Sequence, residues 1–182
     1  MFYRVPWMST FSATLLLAAC ATAPGTERQR GDLRDDAEQK VALAKEKDES
    51  LAALFGSAAG YAVFPKVGKG AIGVGGAYGR GVVYEHGQQI GYTDLSQATI
   101  GFQLGGQAYT EILFFEDLAA LNRFRQGNLA FSSQATAVAL YSGAGANAKF
   151  ENGVAVFTMD ESGLMFEAAV GGQKFSYQAF GE

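Results

Sequence analysis

The chain has 182 residues, with 14 lysines and arginines against 18 aspartates and glutamates, a net charge of −4, one cysteine and one histidine. That balance excludes a bulk basic surface for nucleic acid, and a lone cysteine excludes an internal disulfide. One histidine and one cysteine also supply no zinc set of known spacing.

A single cation, Arg4, precedes the apolar and small-residue run Phe11 to Ala19, FSATLLLAA, which closes on Cys20. The run is too short to span a bilayer as a helix, and with its charge and small-residue end it reads as a secretory signal segment over residues 1–19. Leu17-Ala18-Ala19-Cys20 resembles the bacterial lipobox, in which the chain is cut before the cysteine and lipid is attached to it. Cys20 is then the lipidation site; a buried or reactive thiol is the alternative. Because stable anchoring takes more than one acyl chain, the expectation is a protein anchored by an acylated Cys20 rather than spanning. Ala21, not an acid, follows the cysteine, which by the same resemblance implies the outer membrane, periplasmic face. Loss of residues 1–19 removes Arg4 and leaves thirteen cations against eighteen acids, a net −5. Residues 20–31, with Pro24, Gly25 and Gly31, read as the lipidated cysteine and a flexible tether. Residues 32–182, about 150 in all, suffice for one domain with a real core.

From Asp32 the residues Leu33, Ala37, Val41 and Ala44 recur at helical spacing, predicting a helix to about Lys47. A second, shorter helix is expected from Ser50, with Leu51, Leu54 and Phe55 on its apolar face. This region carries a net −3, as a solvated amphipathic helix packed on the domain would. Beyond Gly60 the pairs His86-Gly87, Asn152-Gly153, Ser162-Gly163 and Gly171-Gly172 sit between β-like runs and read as hairpin turns. One helix interrupts the strands, opening at Glu116 and Asp117 and stopping at Gly127. The expected fold is α+β, mainly antiparallel β, barrel-like or sandwich, with N-terminal helices and one internal helix.

Val67 to Gly81, VGKGAIGVGGAYGRG, holds glycine at seven of fifteen positions. Gly68 to Gly73 matches GxGxxG, but the dinucleotide fingerprint needs a helix directly afterwards, and Val74 to Tyr84 is poor helix material. Gly70 also stands where a phosphate loop needs Ser or Thr after its lysine. A period of two fits better. Even positions Ile72, Val74, Tyr78, Arg80, Val82 and Tyr84 are bulky, whereas the odd ones are nearly all glycine or alanine. Read as one long bent strand, the segment has a largely core even face and a bare odd face crowded by another piece of backbone.

In SQATIGFQLGGQAYTEILFF the odd positions Gln97, Thr99, Gln103, Gln107, Tyr109 and Glu111 form a row of hydrogen-bonding groups. Two readings stand: a solvent-exposed strand face, or the polar lining of a groove that holds a lipid headgroup. Catalytic chemistry has no foothold. His86 sits in a turn, Asp160 and Glu161 in another, and Glu111 and Glu116 in different elements, so no general acid and base can be paired. The expectation is a protein that is not an enzyme and carries no cofactor or metal.

GYAVFPKVGKGAIGVGGAYGRGVVYE, SQATIGFQLGGQAYTEILFF and NGVAVFTMDESGLMFEAAVGGQKFSY together resemble the SYLF domain family, the lipid-binding or actin-regulator domain, from about Leu33 to Tyr177. The resemblance implies a non-catalytic lipid-binding domain, here in a bacterial lipoprotein. The acidic N-terminal helix departs from the basic membrane helix of some relatives, no SH3 or FYVE region is attached, and actin is not an expected partner. The leading expectation is binding to anionic phospholipid headgroups or membrane surfaces. The alternative is a structural or interaction lipoprotein of the cell envelope that docks a protein partner.

An acidic protein that meets anionic lipid must concentrate its cations locally. Lys66 and Lys69 flank a turn expected at Val67 to Gly70, whose N–H groups could form an anion-binding nest. Arg80 is the third candidate, although on a straight strand it lies about 35 Å from Lys69 and joins only if the strand bends at its glycines. Lys66, Lys69 and Arg80 are thus the candidate lipid-binding residues; ordinary solubilising surface is the other reading.

Overall fold

The computed structural model describes residues 24–72, 74–100, 106–129, 131, 136–160, 167–170 and 172–180. Cys20, the segment 1–19 and the Ser162-Gly163 pair lie outside the described residues. Helices α1 (Glu27–Lys47) and α2 (Ser50–Ser57) precede strands β1 (Gly60–Ile72), β2 (Val74–Glu85), β3 (Gln88–Ile100) and β4 (Gly106–Phe115). Helix α3 (Leu118–Arg125) follows, then β5 (Thr136–Ala139), a short 3-10 turn at Gly145–Asn147, β6 (Val154–Asp160), β7 (Glu167–Ala169) and β8 (Gln173–Ala179). The Thr26 hydroxyl caps α1 and the Asp117 carboxylate caps α3, each satisfying a backbone N–H that has no partner within its helix. Because α1 begins at Glu27, residues 27–31 are helical, and the flexible tether expected to reach residue 31 is at least that much shorter.

The eight strands form one α+β sheet in the order β7-β5-β6-β4-β1-β2-β3-β8, antiparallel except for β5 against β6. The sheet curls strongly. Laid flat, β4 and β8 would stand four strand spacings apart, about 19 Å, yet Gln173 Nε2 donates to Glu111 Oε2 at 2.9 Å. Phe64 of β1 and Phe175 of β8, three spacings apart, have ring centroids 5.9 Å apart. The two edge strands, β7 and β8, follow each other in sequence with only residues 170–172 between them. The sheet is therefore wrapped nearly round, and a seam separates its edges, since no ladder joins β7 to β8 among the described residues.

Each face has its own core. Outside, α1 and α2 cover Tyr61, Val63, Val82, Tyr84, Ile112 and Phe114, with the Phe55 ring 4.9 Å from Tyr61 and 4.7 Å from Phe114. Inside, Phe64, Val67, Leu95, Leu113 and Phe175 pack with Leu121 and Phe124 of α3. Burying a side chain of this size contributes about 1.5–3 kcal/mol. Pro65 sits in central strand β1, where it cannot donate to a ladder; the register shifts there on both sides, and Thr110 Oγ1 donates to the Pro65 carbonyl at 2.9 Å.

Three local expectations change. The glycine-rich segment is two strands, not one: the chain reverses between Ile72 and Val74, and β1 runs through the turn expected at Val67 to Gly70. The bare face is crowded as expected, because a Cβ on Gly81 would lie 2.6 Å from the Val63 carbonyl and one on Gly79 2.9 Å from Val67 Cγ2. Among the described side chains of the even face, Val82 and Tyr84 are core, whereas Tyr78 is 49% exposed. His86-Gly87 makes the β2–β3 hairpin with both φ values positive. Asn152-Gly153 makes a tight turn closed by the single bridge of Glu151 to Val154. Gly171-Gly172 makes no hairpin, because the strands it links pair with β5 and β3 instead.

Candidate functional site

Two pockets border the linker between the edge strands, and a third lies on α1 against Gln39, Lys40 and Leu43. One, of ≈ 150 Å³, is lined by Phe131, Val138, Val154 to Phe157 and Val170, with Lys149 and Glu151 at its polar end. A second, of ≈ 470 Å³, is lined by Gly127 to Leu129, Phe131 and Gly172 to Phe175. Phe131 is a wall of both, so they flank one ring along one groove. The smaller volume is that of a cavity able to take a benzene ring, and the larger falls in the range of small-molecule sites. Lys149 and Lys174, both exposed, stand one in each pocket.

The floor of this groove is polar. Gln173 lines it, and behind Gln173 stand Glu111, Tyr109, Gln97 and Thr158, at 0%, 2%, 5% and 2% exposure. The odd row of β3 and β4 thus faces the inside of the curl at Gln97, Tyr109 and Glu111, and the solvent-exposed reading is overturned for these residues. Gln103 lies outside the described residues. Burial raises the Glu111 carboxyl and hydrogen bonding from Gln173 and Tyr109 offsets part of the rise, leaving it at about 7. Burial likewise pushes the Tyr109 phenol up, and Glu111 beside it adds to the rise.

The hairpin brings two of the three candidate cations together and turns the third away. Lys66 pairs in register with Arg80 across β1 and β2, whereas Lys69 pairs with Ala77. Strand alternation puts Lys69 on the inner face with Val67 and leaves exposed Lys66 on the outer one. Arg80 is engaged: its Nε lies 3.7 Å from the Asp94 carboxylate and donates to the Tyr78 hydroxyl at 3.1 Å. Lys66 and Arg80 are therefore neighbours without the nest that the expected turn would have supplied. On α3, Arg123 donates to the Asn152 carbonyl at 2.6 Å, and Arg125 lies 3.9 Å from Glu85 and 5.2 Å from the Tyr177 ring centre.

A second buried acid, Asp48, joins α1 to α2. Its carboxylate accepts from Ser50 N and Oγ at 3.0 and 2.7 Å, from Gly143 N at 3.0 Å and from Gly145 N at 2.6 Å. Burial alone would raise its pKa, but the bonds from Gly145, Ser50 and Gly143 together hold it below the usual range. Sequence reasoning missed Asp48, Gln173, Lys149 and Lys174. Only the Asp-x-Ser spacing at 48 and 50 signals a local cap; the other three depend on which strands meet.

Among the described residues no helix is long and apolar enough to cross a membrane, and no group of three or more His, Cys, Asp and Glu could hold a metal. His86 is an exposed turn residue, and Asp160 ends β6 rather than lying in a turn. No family model matches the chain. A stretch of 84 residues is 30% identical to Beta cell expansion factor A of Aeromonas veronii, covering 46% of this chain and 32% of that protein. The match thus spans about a third of that relative's length.

Proposed function

We propose that this chain is a non-catalytic, lipid-anchored protein of the outer membrane, held at the periplasmic face by Cys20, whose SYLF-like domain binds phospholipid along the seam of its curled sheet. The observation that carries this reading is the groove itself: apolar walls at Phe131, Val138, Val170 and Phe175, with an exposed lysine in each of its two pockets. An amphipathic lipid needs that combination, an apolar slot for part of a chain and a cation for its phosphate. The FSATLLLAAC run and the family resemblance support the anchor and the lipid class respectively. Lys66 and Lys69 remain candidates for a second contact with an anionic surface, and Arg80 less so because Asp94 and Tyr78 already hold it.

Flotation of the chain from Ala21 onward with vesicles of phosphatidylcholine, alone or with phosphatidylglycerol, tests the reading. Co-flotation that strengthens with phosphatidylglycerol and weakens with salt is expected. Loss of acyl labelling in Cys20→Ser tests the anchor. The exposed rings of Tyr141 and Phe180, each 58% exposed, favour the envelope-partner reading instead, and absence of flotation with every vesicle would turn attention to them.

A further inference from the structure

At the inner end of the seam two side chains are joined on one side and unsatisfied on the other. Gln173 Nε2 donates to Glu111 Oε2 at 2.9 Å, while Glu111 Oε1 and Gln173 Oε1, both buried, have no hydrogen-bond partner among the described residues. An ionised carboxylate can only accept, so beyond the donors of Gln173 and Tyr109 its charge goes unmet, and it gives the Gln173 oxygen no donor. A neutral carboxyl carries one O–H. Set against a primary amide it closes a ring of two bonds, amide N–H to one carboxyl oxygen and carboxyl O–H to the amide oxygen. One proton gives both oxygens a partner.

We propose that Glu111 is a protonated latch that fastens Gln173, and with it edge strand β8, across the inside of the curled sheet, and that loss of its proton releases Gln173 and widens the seam groove. The consequence for lipid rests on the reading of that groove as the phospholipid site. The latch joins strands that no backbone ladder joins, because β8 is paired only with β3, four places from β4 in the sheet. Gln173 opens β8 and lines the groove beside Phe131 and Phe175, so its movement changes the groove directly. On ionisation the proton leaves to water, and the carboxylate, enclosed by Phe64 of β1 and Thr158 of β6 at its register positions, is left in a dry interior. Such a charge is costly unless water reaches it, and the groove behind Gln173 is the adjacent opening.

Among the described residues the groups that face Glu111 are few. Tyr109 stands two residues before it on β4, and Gln97 lies opposite Gln173 on β3. By register, the titratable residues nearest on neighbouring strands are Lys66 of β1, two residues after Phe64 but turned to the outer face, Lys69 of β1, opposite Gln107, and Asp160 of β6, opposite Tyr109. Helix α3, packed on the same core, meets it with Leu121 and Phe124, and turns Arg123 and Arg125 to other partners. Among the described residues no charged side chain contributes to the raised protonation of Glu111, which burial, offset in part by those hydrogen bonds, sets at about 7.

The test uses the full chain and its Glu111→Gln variant, which keeps the shape of the neutral acid and cannot ionise. Three readouts are followed from about pH 6 to about pH 8: the Glu111 carboxyl carbon by NMR, amide-exchange protection factors in β8, and flotation with phosphatidylglycerol vesicles. In the parent chain β8 protection is expected to fall about tenfold and flotation to rise severalfold across that window, one proton being linked to each opening; in the variant both stay flat. A Glu111 carboxyl titrating in the ordinary range, or β8 protection independent of pH in the parent, overturns the latch whatever the vesicles do. Those two parental measurements decide alone if the variant does not fold. Switching protection with no flotation at either pH supports the latch and removes the lipid reading. Switching protection with pH-independent flotation overturns the coupling of latch to groove.

Discussion

Asp48 and Glu111 both have almost no solvent contact, at 1% and 0% exposure, but Asp48 lies just beneath the surface and Glu111 deep inside the sheet, and their carboxyls are pushed in opposite directions. Burial raises both. Depth accounts for part of the difference and the donors for the rest: Asp48 sits where α1 breaks into α2 and the 143–145 turn comes close, so three backbone N–H groups and a hydroxyl converge on it. Glu111 lies mid-strand. In a sheet the backbone N–H groups point along the sheet and are spent on the ladder, so an inward-facing acid can recruit only side chains, and it finds Gln173 and Tyr109. A chain break can be built around a charge, whereas a sheet interior is suited to the neutral acid. The helical junction is accordingly a fastening, and the seam a place where protonation is free to matter.

The largest expected effect breaks the first member of that pair. Asp48→Ala strands the donors of Ser50, Gly143 and Gly145, and each buried donor left without a partner costs about 1–3 kcal/mol. Urea unfolding should show it as a lower midpoint, and a loss under about 0.5 kcal/mol would mean that water satisfies those donors. The depressed carboxyl also fixes a sign. Asp48 contributes stability above its unfolded pKa, near 3.8, and that contribution is lost as pH falls through the lower folded value.

The second prediction runs the opposite way. Glu111 is raised from 4.5 to about 7, so its favourable contribution is full below pH 4.5 and is lost as pH rises to about 7. Glu111→Gln should therefore leave stability near pH 4 almost unchanged and raise it by about 3 kcal/mol above pH 7 relative to the parent. Midpoints that differ equally at both pH values would show that Glu111 titrates alike in the folded and unfolded chains and that the two carboxyls do not differ as described.

Gly81 tests the wall that encloses Glu111. A Cβ there would lie 2.6 Å from the Val63 carbonyl and 2.8 Å from the ring of Phe64, the residue paired in register with Glu111. Gly81→Ala should destabilise by about 1–3 kcal/mol through overpacking, measured as a thermal or urea midpoint at a pH where Glu111 is neutral. An unchanged midpoint would mean that this wall yields, and with it the dry setting that raises Glu111.

The helices were legible because their signals are local: Leu33, Ala37 and Val41 repeat at helical spacing, Asp117 caps α3, and Gly127 ends that turn at positive φ. The strand alternation of Tyr109 and Glu111 was legible too, but period two says only that residues share a face, not whether that face turns inward. That depends on the curl, which comes from strands far apart in sequence, such as Glu111 and Gln173. The same limit hid the reversal inside Val67 to Gly81, where alternating small and large residues continue through both strands. It also made Gly171-Gly172 look like a hairpin when it links the two edges of the sheet.

The smallest expected effect separates the seam from the hairpin as a lipid contact. Near an anionic surface each cation contributes roughly 1 kcal/mol, so replacing Lys149 and Lys174 together with Gln should weaken flotation with phosphatidylglycerol vesicles by about an order of magnitude or more at low salt. Both lysines are exposed and stand in the groove pockets, so the unfolding midpoint should stay within about 0.5 kcal/mol of the parent. The matched variant replaces Lys66 and Lys69, which strand alternation turns to opposite faces of β1, so one membrane plane cannot readily engage both. A loss on replacing Lys149 and Lys174 that exceeds the loss on replacing Lys66 and Lys69 places the contact at the seam, where Glu111 can govern it. The reverse order would leave the buried acid in the seam without a lipid to control, and would return the headgroup site to the β1–β2 hairpin.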